Sequence, residues 1–259
     1  MIVEVVRFSK PEVACQIVAG LRPAQLAPMT TTAVQLPTHA ALRDALVAAQ
    51  QTDNGGLGFH MWAAMVDRNG IVVAVCFSGE EPGDQWPGSR IIAASKANTA
   101  NAFSLDRLAL STANLYSAVQ PGGPLFGLAE LTPLNIHAAY GGDPSLFGTT
   151  EDHMLNKQIG GITVFGGGLA LYDDTGRIIG GLGVSGDLSC ADHNIAWKMR
   201  HALELDWLPK GLDGDDDNIV YDLGPMVERS SSGRGHPACN DRTQAIAESL
   251  PRDYPPRRK

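Results

Sequence analysis

Most of the residues able to do chemistry fall into two short stretches, residues 181–193 and a lysine-bearing segment near residue 96. Gly181-Leu182-Gly183-Val184-Ser185-Gly186 has the spacing G-x-G-x-x-G, which in a strand-to-helix turn lets backbone amides approach a pyrophosphate. Glu204 and Asp206 follow about 20 residues later, where a ribose-binding acid would stand. Gly183-Val184-Ser185-Gly186-Asp187 approaches the nucleophile elbow G-x-S-x-G, but Asp187 takes the place of its second glycine. Cys190-Ala191-Asp192-His193 is half of a metal site without a second close pair. Asp213, Asp215 and Asp217 imitate the start of a calcium loop, yet Asn218 replaces its glycine and Gly224 its bidentate glutamate, so a solvated acidic loop is expected. Lys96 lies in an alanine-rich segment, where a long cation ordinarily snorkels to water. His137 and His153 stand in a stretch of mixed character with Glu151 and Asp152.

The elements that must position these residues decide among the chemistries. Ala41, Leu42, Ala45, Leu46 and Ala49 recur at helical spacing, and residues 89–103 form a second helix without Gly or Pro. Two apolar runs, residues 61–66 and 71–77, flank Asp67-Arg68-Asn69-Gly70, whose Asn-Gly tolerates the positive φ of a hairpin turn. A second hairpin joins residues 162–172 to 177–184 through Asp173-Asp174-Thr175-Gly176. A third helix is expected over residues 190–205, and a short one around 111–119. Two hairpins give an antiparallel sheet of at least four strands flanked by helices, an α+β architecture. That context argues against a dinucleotide, because the strand before the glycines is a hairpin arm and not part of a parallel βαβ unit. Glycines that bring a helix close to a sheet edge account for the motif better.

The chain has 259 residues and a net charge of -8, with no basic stripe able to grip a phosphate backbone. Nucleic acid is therefore excluded as an expected partner of the main body. The longest apolar run, residues 71–77, falls far short of a membrane span, so no membrane association is expected. Four well-separated cysteines without a C-x-x-C read as reduced thiols, and the N-terminus is a poor signal peptide, which together point to a cytoplasmic protein. Three regions are expected: an N-terminal β-α arm and linker over 1–37, with a capping box at Ser9–Glu12, a main domain over 38–208, and an acidic loop with a basic, poorly ordered tail over 209–259.

Three stretches, in order, resemble the GlcG/HbpS family of haem-binding proteins, which includes the C-terminal domain of PduO-type proteins. Ala64-Met65-Val66-Asp67-Arg68-Asn69-Gly70 resembles the family's A-V-V-D-x-x-G. Ile92-Ala93-Ala94-Ser95-Lys96-Ala97-Asn98-Thr99-Ala100 resembles I-A-x-x-K-A-x-T-A. Gly160-Gly161-Ile162, the run from Gly180 to Gly186, and Asp192 with Ala196 resemble G-G-x-P-I, V-G-A-I-G-V-S-G and D-x-x-x-A. The chain departs from the pattern in Thr163, which replaces a proline, and in a longer segment between Asn114 and Asn156. The resemblance implies a profilin-like fold with a central antiparallel sheet, a homo-oligomer, and haem binding tied in some members to redox stress.

Two functional expectations follow. The first is a cytoplasmic haem-binding protein engaged in redox or haem sensing, with His193, His153 and His137 as candidate axial ligands. The second is an enzyme of lyase or isomerase type acting on a small carboxylate-bearing substrate, with Lys96, Asp192 and His193 as its acid/base groups. In both, the ligand is expected at the start of the third helix, beside Gly160, Gly161, Ser185, Gly186, Asp187 and Ser189.

Overall fold

The computed structural model describes residues 36–209, 211, 216–223 and 229–258. Residues 1–35 of the expected N-terminal arm and linker, and residues 213–215 of the acidic stretch resembling a calcium loop, lie outside them; Asp217 of that stretch, expected in a solvated loop, is instead buried and paired with Arg200. Helix α1 (His39–Gln50) begins where the Thr38 hydroxyl accepts the Ala41 N–H, and it buries Leu42, Ala45, Leu46 and Ala49 along one side. The two hairpins form as expected, β1 (Trp62–Asp67) with β2 (Val72–Phe77), and β3 (Gly168–Tyr172) with β4 (Ile178–Ser185). They join through their inner arms, giving a four-stranded sheet in the order β2-β1-β4-β3. Every pairing in it is antiparallel, with Trp62 opposite Ser185 and Asp67 opposite Gly180.

Strand alternation divides the core between the two faces of the sheet. Trp62, Ala64, Val66 and Val75 pack with Ala93, Ala94 and Ala97 of helix α2 (Ser89–Phe103). On the other side, Ala63, Met65, Leu182 and Val184 pack with α1 and with helix α6 (Ser189–Ala202). Helix α2 lies so close to β4 that a Cβ on Gly183 would come within 1.9 Å of the Ala93 carbonyl, and one on Gly181 within 2.2 Å of the Ala97 carbonyl. The G-x-G spacing thus serves the seating of α2 on the inner strand β4, where the sequence suggested glycines that let the following helix start close to a sheet edge, and this is an α+β fold with a central antiparallel sheet flanked by helices.

Between α2 and β3 the chain forms three short helices, α3 (Tyr116–Val119), α4 (Leu128–Leu131) and α5 (Ile136–Tyr140). Strand β3 starts at Gly168, six residues later than expected, because Gly167 adopts a positive φ and breaks the extended run. Helix α6 ends at Ala202, earlier than residue 205, where Glu204 turns the chain at a positive φ.

The tail corrects two expectations. Residues 229–258 are ordered: β5 (Val220–Leu223) pairs with β6 (Gly235–Pro237), and helix α7 (Asp241–Asp253) follows. Asn240 caps α7, and Ala247 and Leu250 enter the core that also holds α1 and α6. The few apolar residues at helical spacing were masked in the sequence by the surrounding Ser, Gly and Arg. Cys190 and Cys239, expected as reduced thiols, form a disulfide between the start of α6 and the turn before α7. Their separation of 49 residues carried no local pairing signal. The expected cytoplasmic location loses part of its basis with them.

Candidate functional site

Lys96 and Asp192 come from helices on opposite faces of the sheet and meet beyond its open end, where β4 finishes and β3 begins. Lys96 Nζ donates to Asp192 Oδ2 at 2.7 Å and to the Val184 carbonyl at 2.9 Å, and both side chains are fully buried. The Asp187 N–H donates to the other carboxylate oxygen of Asp192 at 2.9 Å. Gly167 makes room for the pair, since a Cβ there would stand 2.9 Å from Lys96 Nζ. Burial pushes the Asp192 carboxyl up to about 6 even against the nearby lysine. The same burial pulls the Lys96 ammonium down, with Asp192 opposing it.

His193 is also fully buried. Its Nε2 faces Asn218 Oδ1 at 3.1 Å and the Ile219 N–H at 3.2 Å, while Nδ1 has no hydrogen-bond partner. Burial pulls its pKa down to about 4, so the ring is neutral near pH 7. The residue that sequence reading missed here is His236. Strand β6 carries it to the Gly166-Gly167 turn, where it is buried and its Nδ1 lies 2.7 Å from the Pro237 carbonyl. Its Nε2 accepts the Gly166 N–H at 3.4 Å and stands 3.5 Å from Ser189 Oγ. Burial lowers its pKa to about 4 as well. The signal available was Gly235-His236-Pro237 shortly before Cys239, inside a segment expected to be disordered.

The start of α6 is occupied by the protein's own groups. The Asp187 carboxylate accepts the N–H groups of Leu57, Gly58 and Leu188, and the Cys190 N–H reaches Cys239 Sγ at 3.3 Å. Ser185 and Gly186 are buried. The expected binding residues Gly160 and Gly161 lie elsewhere, beside Leu134 and α2, where the Gly161 carbonyl accepts from Asn98 at 3.0 Å. His137 is exposed on α5, and His153 packs against Gly141 and Gly142 just after that helix. The structure therefore brings Lys96 and Asp192 into contact, turns the ring of the adjacent His193 toward Asn218 and Ile219, and groups His137 with His153 around the end of α5. No set of three or more His, Cys, Asp or Glu suited to a metal ion occurs among the described residues.

A second feature is a cleft of about 410 Å³ between the start of α2 and the end of α5. Trp62, Pro87, Ile91, Ala139 and Phe147 wall it, with Arg90 and Tyr140 as its polar side chains. Arg90 is buried and held by Asp152, which accepts from both its Nε and an Nη, and by the Ala139 carbonyl at 2.9 Å. The guanidinium lies 3.7 Å over the Phe147 ring. Asp152 also accepts the Gly148 and Met154 N–H groups, so one carboxylate organises this whole wall.

No curated protein matches the chain. The model of a family described as haem degrading protein HbpS-like matches residues 36–200. Among solved structures, a PduOC–haem complex is 27% identical, covering 65% of this chain and 95% of its own, with a TM-score of 0.45. The Klebsiella pneumoniae protein ORFY is 24% identical over 67% of this chain and 94% of its own, with a TM-score of 0.45. HbpS is 21% identical over 68% of this chain and 95% of its own, with a TM-score of 0.41.

Proposed function

Because the chain belongs to the HbpS-like haem-degrading protein family, we propose that it is a haem-binding protein acting in redox or haem sensing. The observation that carries this reading is the family match over residues 36–200, which spans both the Lys96–Asp192–His193 cluster and the apolar cleft. The residues present fit such a group: haem needs an apolar slot open at one edge, and the cleft has the volume and lining of a small-molecule site. When bound, haem supplies an iron centre able to change oxidation state. The chain's part is to hold the ring, exclude water from its faces and place a side chain toward the metal. Assembly as a homo-oligomer in the cytoplasm belongs to the same proposal.

Titrating the full chain with hemin tests it. A saturable change in the Soret region near one haem per chain is expected; absorbance that remains that of free hemin, or binding that never saturates, removes the haem reading.

A second reading is favoured by one observation, the Asp192 carboxyl raised to about 6 beside a lysine pulled down by burial. Groups poised closer to neutrality suit acid/base chemistry of lyase or isomerase type on a small carboxylate-bearing substrate, with Lys96, Asp192 and His193 exchanging the proton. It ranks second because all three side chains are fully enclosed, so a substrate reaches them only if the start of α6 opens.

A further inference from the structure

We infer that the Cys190–Cys239 disulfide is a redox-active site for a dithiol, and that its reduction uncovers the Lys96–Asp192 pair. Cys190 lies within residues 36–200, which the family model matches, and Cys239 lies in the tail beyond them. The two sulfurs are unequally placed, for Cys190 is fully buried and Cys239 only half-buried. An attacking thiolate therefore reaches Cys239 Sγ, forms a mixed disulfide there and expels Cys190 as the thiolate. Cys190 is suited to leave. It occupies the first turn of a 14-residue helix, and its Sγ receives the Cys239 N–H at 3.2 Å. The reductant's second thiol then attacks its own bonded sulfur and releases Cys239. The dithiol ends as a cyclic disulfide, and its two protons pass to the two cysteines.

What the bond holds in place lies over the lysine. Three residues before Cys239, His236 accepts the Gly166 N–H and so pins the irregular segment 162–167. The Thr112 hydroxyl is a second pin, donating to the Phe165 carbonyl at 2.6 Å. Residues 162–165 are half-buried, and the Phe165 ring lies 4.9 Å over Lys96 Nζ, so this segment screens the ammonium from water on that side. The two glycines sit directly on the site. A Cβ on Gly166 would stand 3.0 Å from the His193 Cβ, and one on Gly167 would stand 2.9 Å from the Asp192 Cβ. Polar and short-strand contacts hold the rest of residues 235–239, among them the pairing with β5 and the Ser117 hydroxyl on the Gly235 carbonyl. Helix α7, in contrast, sinks Ala247 and Leu250 into the core. Breaking the disulfide thus frees residues 235–239 and the segment they pin, while α7 stays docked.

The test uses the full chain, reduced with dithiothreitol under native conditions, desalted without air and acetylated with acetic anhydride. Peptide mass spectrometry then follows Lys96. It is expected to label at least about tenfold faster than in the oxidised protein, at a rate that low denaturant leaves unchanged, because a local opening exposes little surface. Reoxidation should restore the slow rate, and Cys239→Ser should label like the reduced chain without any reductant. His236→Ala, with the disulfide intact, should also label faster than wild type. A bond that dithiothreitol fails to reduce in the folded protein overturns the assignment, as does equal labelling of the oxidised and reduced chains. Labelling that rises with denaturant in step with exchange of the β4 amides is the mark of global unfolding, and it overturns the local opening. Slow labelling in His236→Ala beside fast labelling in the reduced chain overturns the part given to His236. Acetylation needs no bound ligand, so these outcomes leave both functional readings to their own tests.

Discussion

Two neutral histidines enclosed beside a lysine–aspartate pair make the protein sensitive to acid in a calculable direction. His193 and His236 have folded pKa values near 4, against 6.5 when exposed. Below the exposed value the unfolded chain binds protons that the folded chain refuses, so stability is lost as pH falls from about 6.5 toward 4. By about pH 5 each ring costs roughly 2 kcal/mol. Asp192 works the other way, because its folded pKa of about 6 lies above 3.8, and protonation in the fold returns about 1 kcal/mol over the same range. The expected outcome is a net loss, read as a lower Tm at about pH 5 than at pH 7, and His236→Gln should flatten the profile. An unchanged profile in that variant would show that His236 is open to water. Asp192 and His193 stood out in the sequence beside the glycine run, whereas Lys96, about a hundred residues away, was tied to them only by the family resemblance. His236 was not, since contact with the Gly166-Gly167 turn is set by a strand pairing that leaves no local pattern.

At the level of elements, α1, α2 and both hairpins were legible because each has its own periodicity or turn chemistry. Helix α2 falls on the expected residues, and the Asn69-Gly70 turn joins β1 to β2. The order of the strands and the docking of the tail were not legible, because both depend on contacts between residues far apart. Residues 116–140 gave little because α3, α4 and α5 are each five residues or fewer, too short for a helical period to register. The disulfide is the element-scale feature most open to test. It closes a loop of 49 residues and fastens the turn before α7 to the start of α6. Alkylation of the denatured chain, followed by mass spectrometry, should leave Cys190 and Cys239 unmodified until a dithiol reductant is added. Loss of the bond through Cys239→Ala should lower stability by about 2–4 kcal/mol, read in denaturant unfolding. Labelling of both cysteines without reductant would contradict the pairing.

For the whole molecule, the net charge of -8 speaks about partners and says little about fold. Its apolar surface is more telling. Phe126 and Leu131 are 64% and 80% exposed, and Ile136 and Tyr140 are exposed on the following helix. Exposed apolar side chains recurring along residues 126–140 are surface that assembly between copies of the chain would cover. Light scattering should accordingly return an integral multiple of 27.4 kDa larger than one, and a monomer's mass would exclude the proposed homo-oligomer.

The close seating of α2 on β4 has a consequence in time. At Gly181 and Gly183 a helix backbone and a strand backbone touch with no layer of side chains between them. Rotamer changes cannot loosen such a contact by degrees. Strand β4 is also bonded to β1 on one edge and β3 on the other. Its amide hydrogens therefore have no local route to solvent and are expected to exchange only when the whole domain opens, so their protection in heavy water should equal the global unfolding free energy read from denaturant.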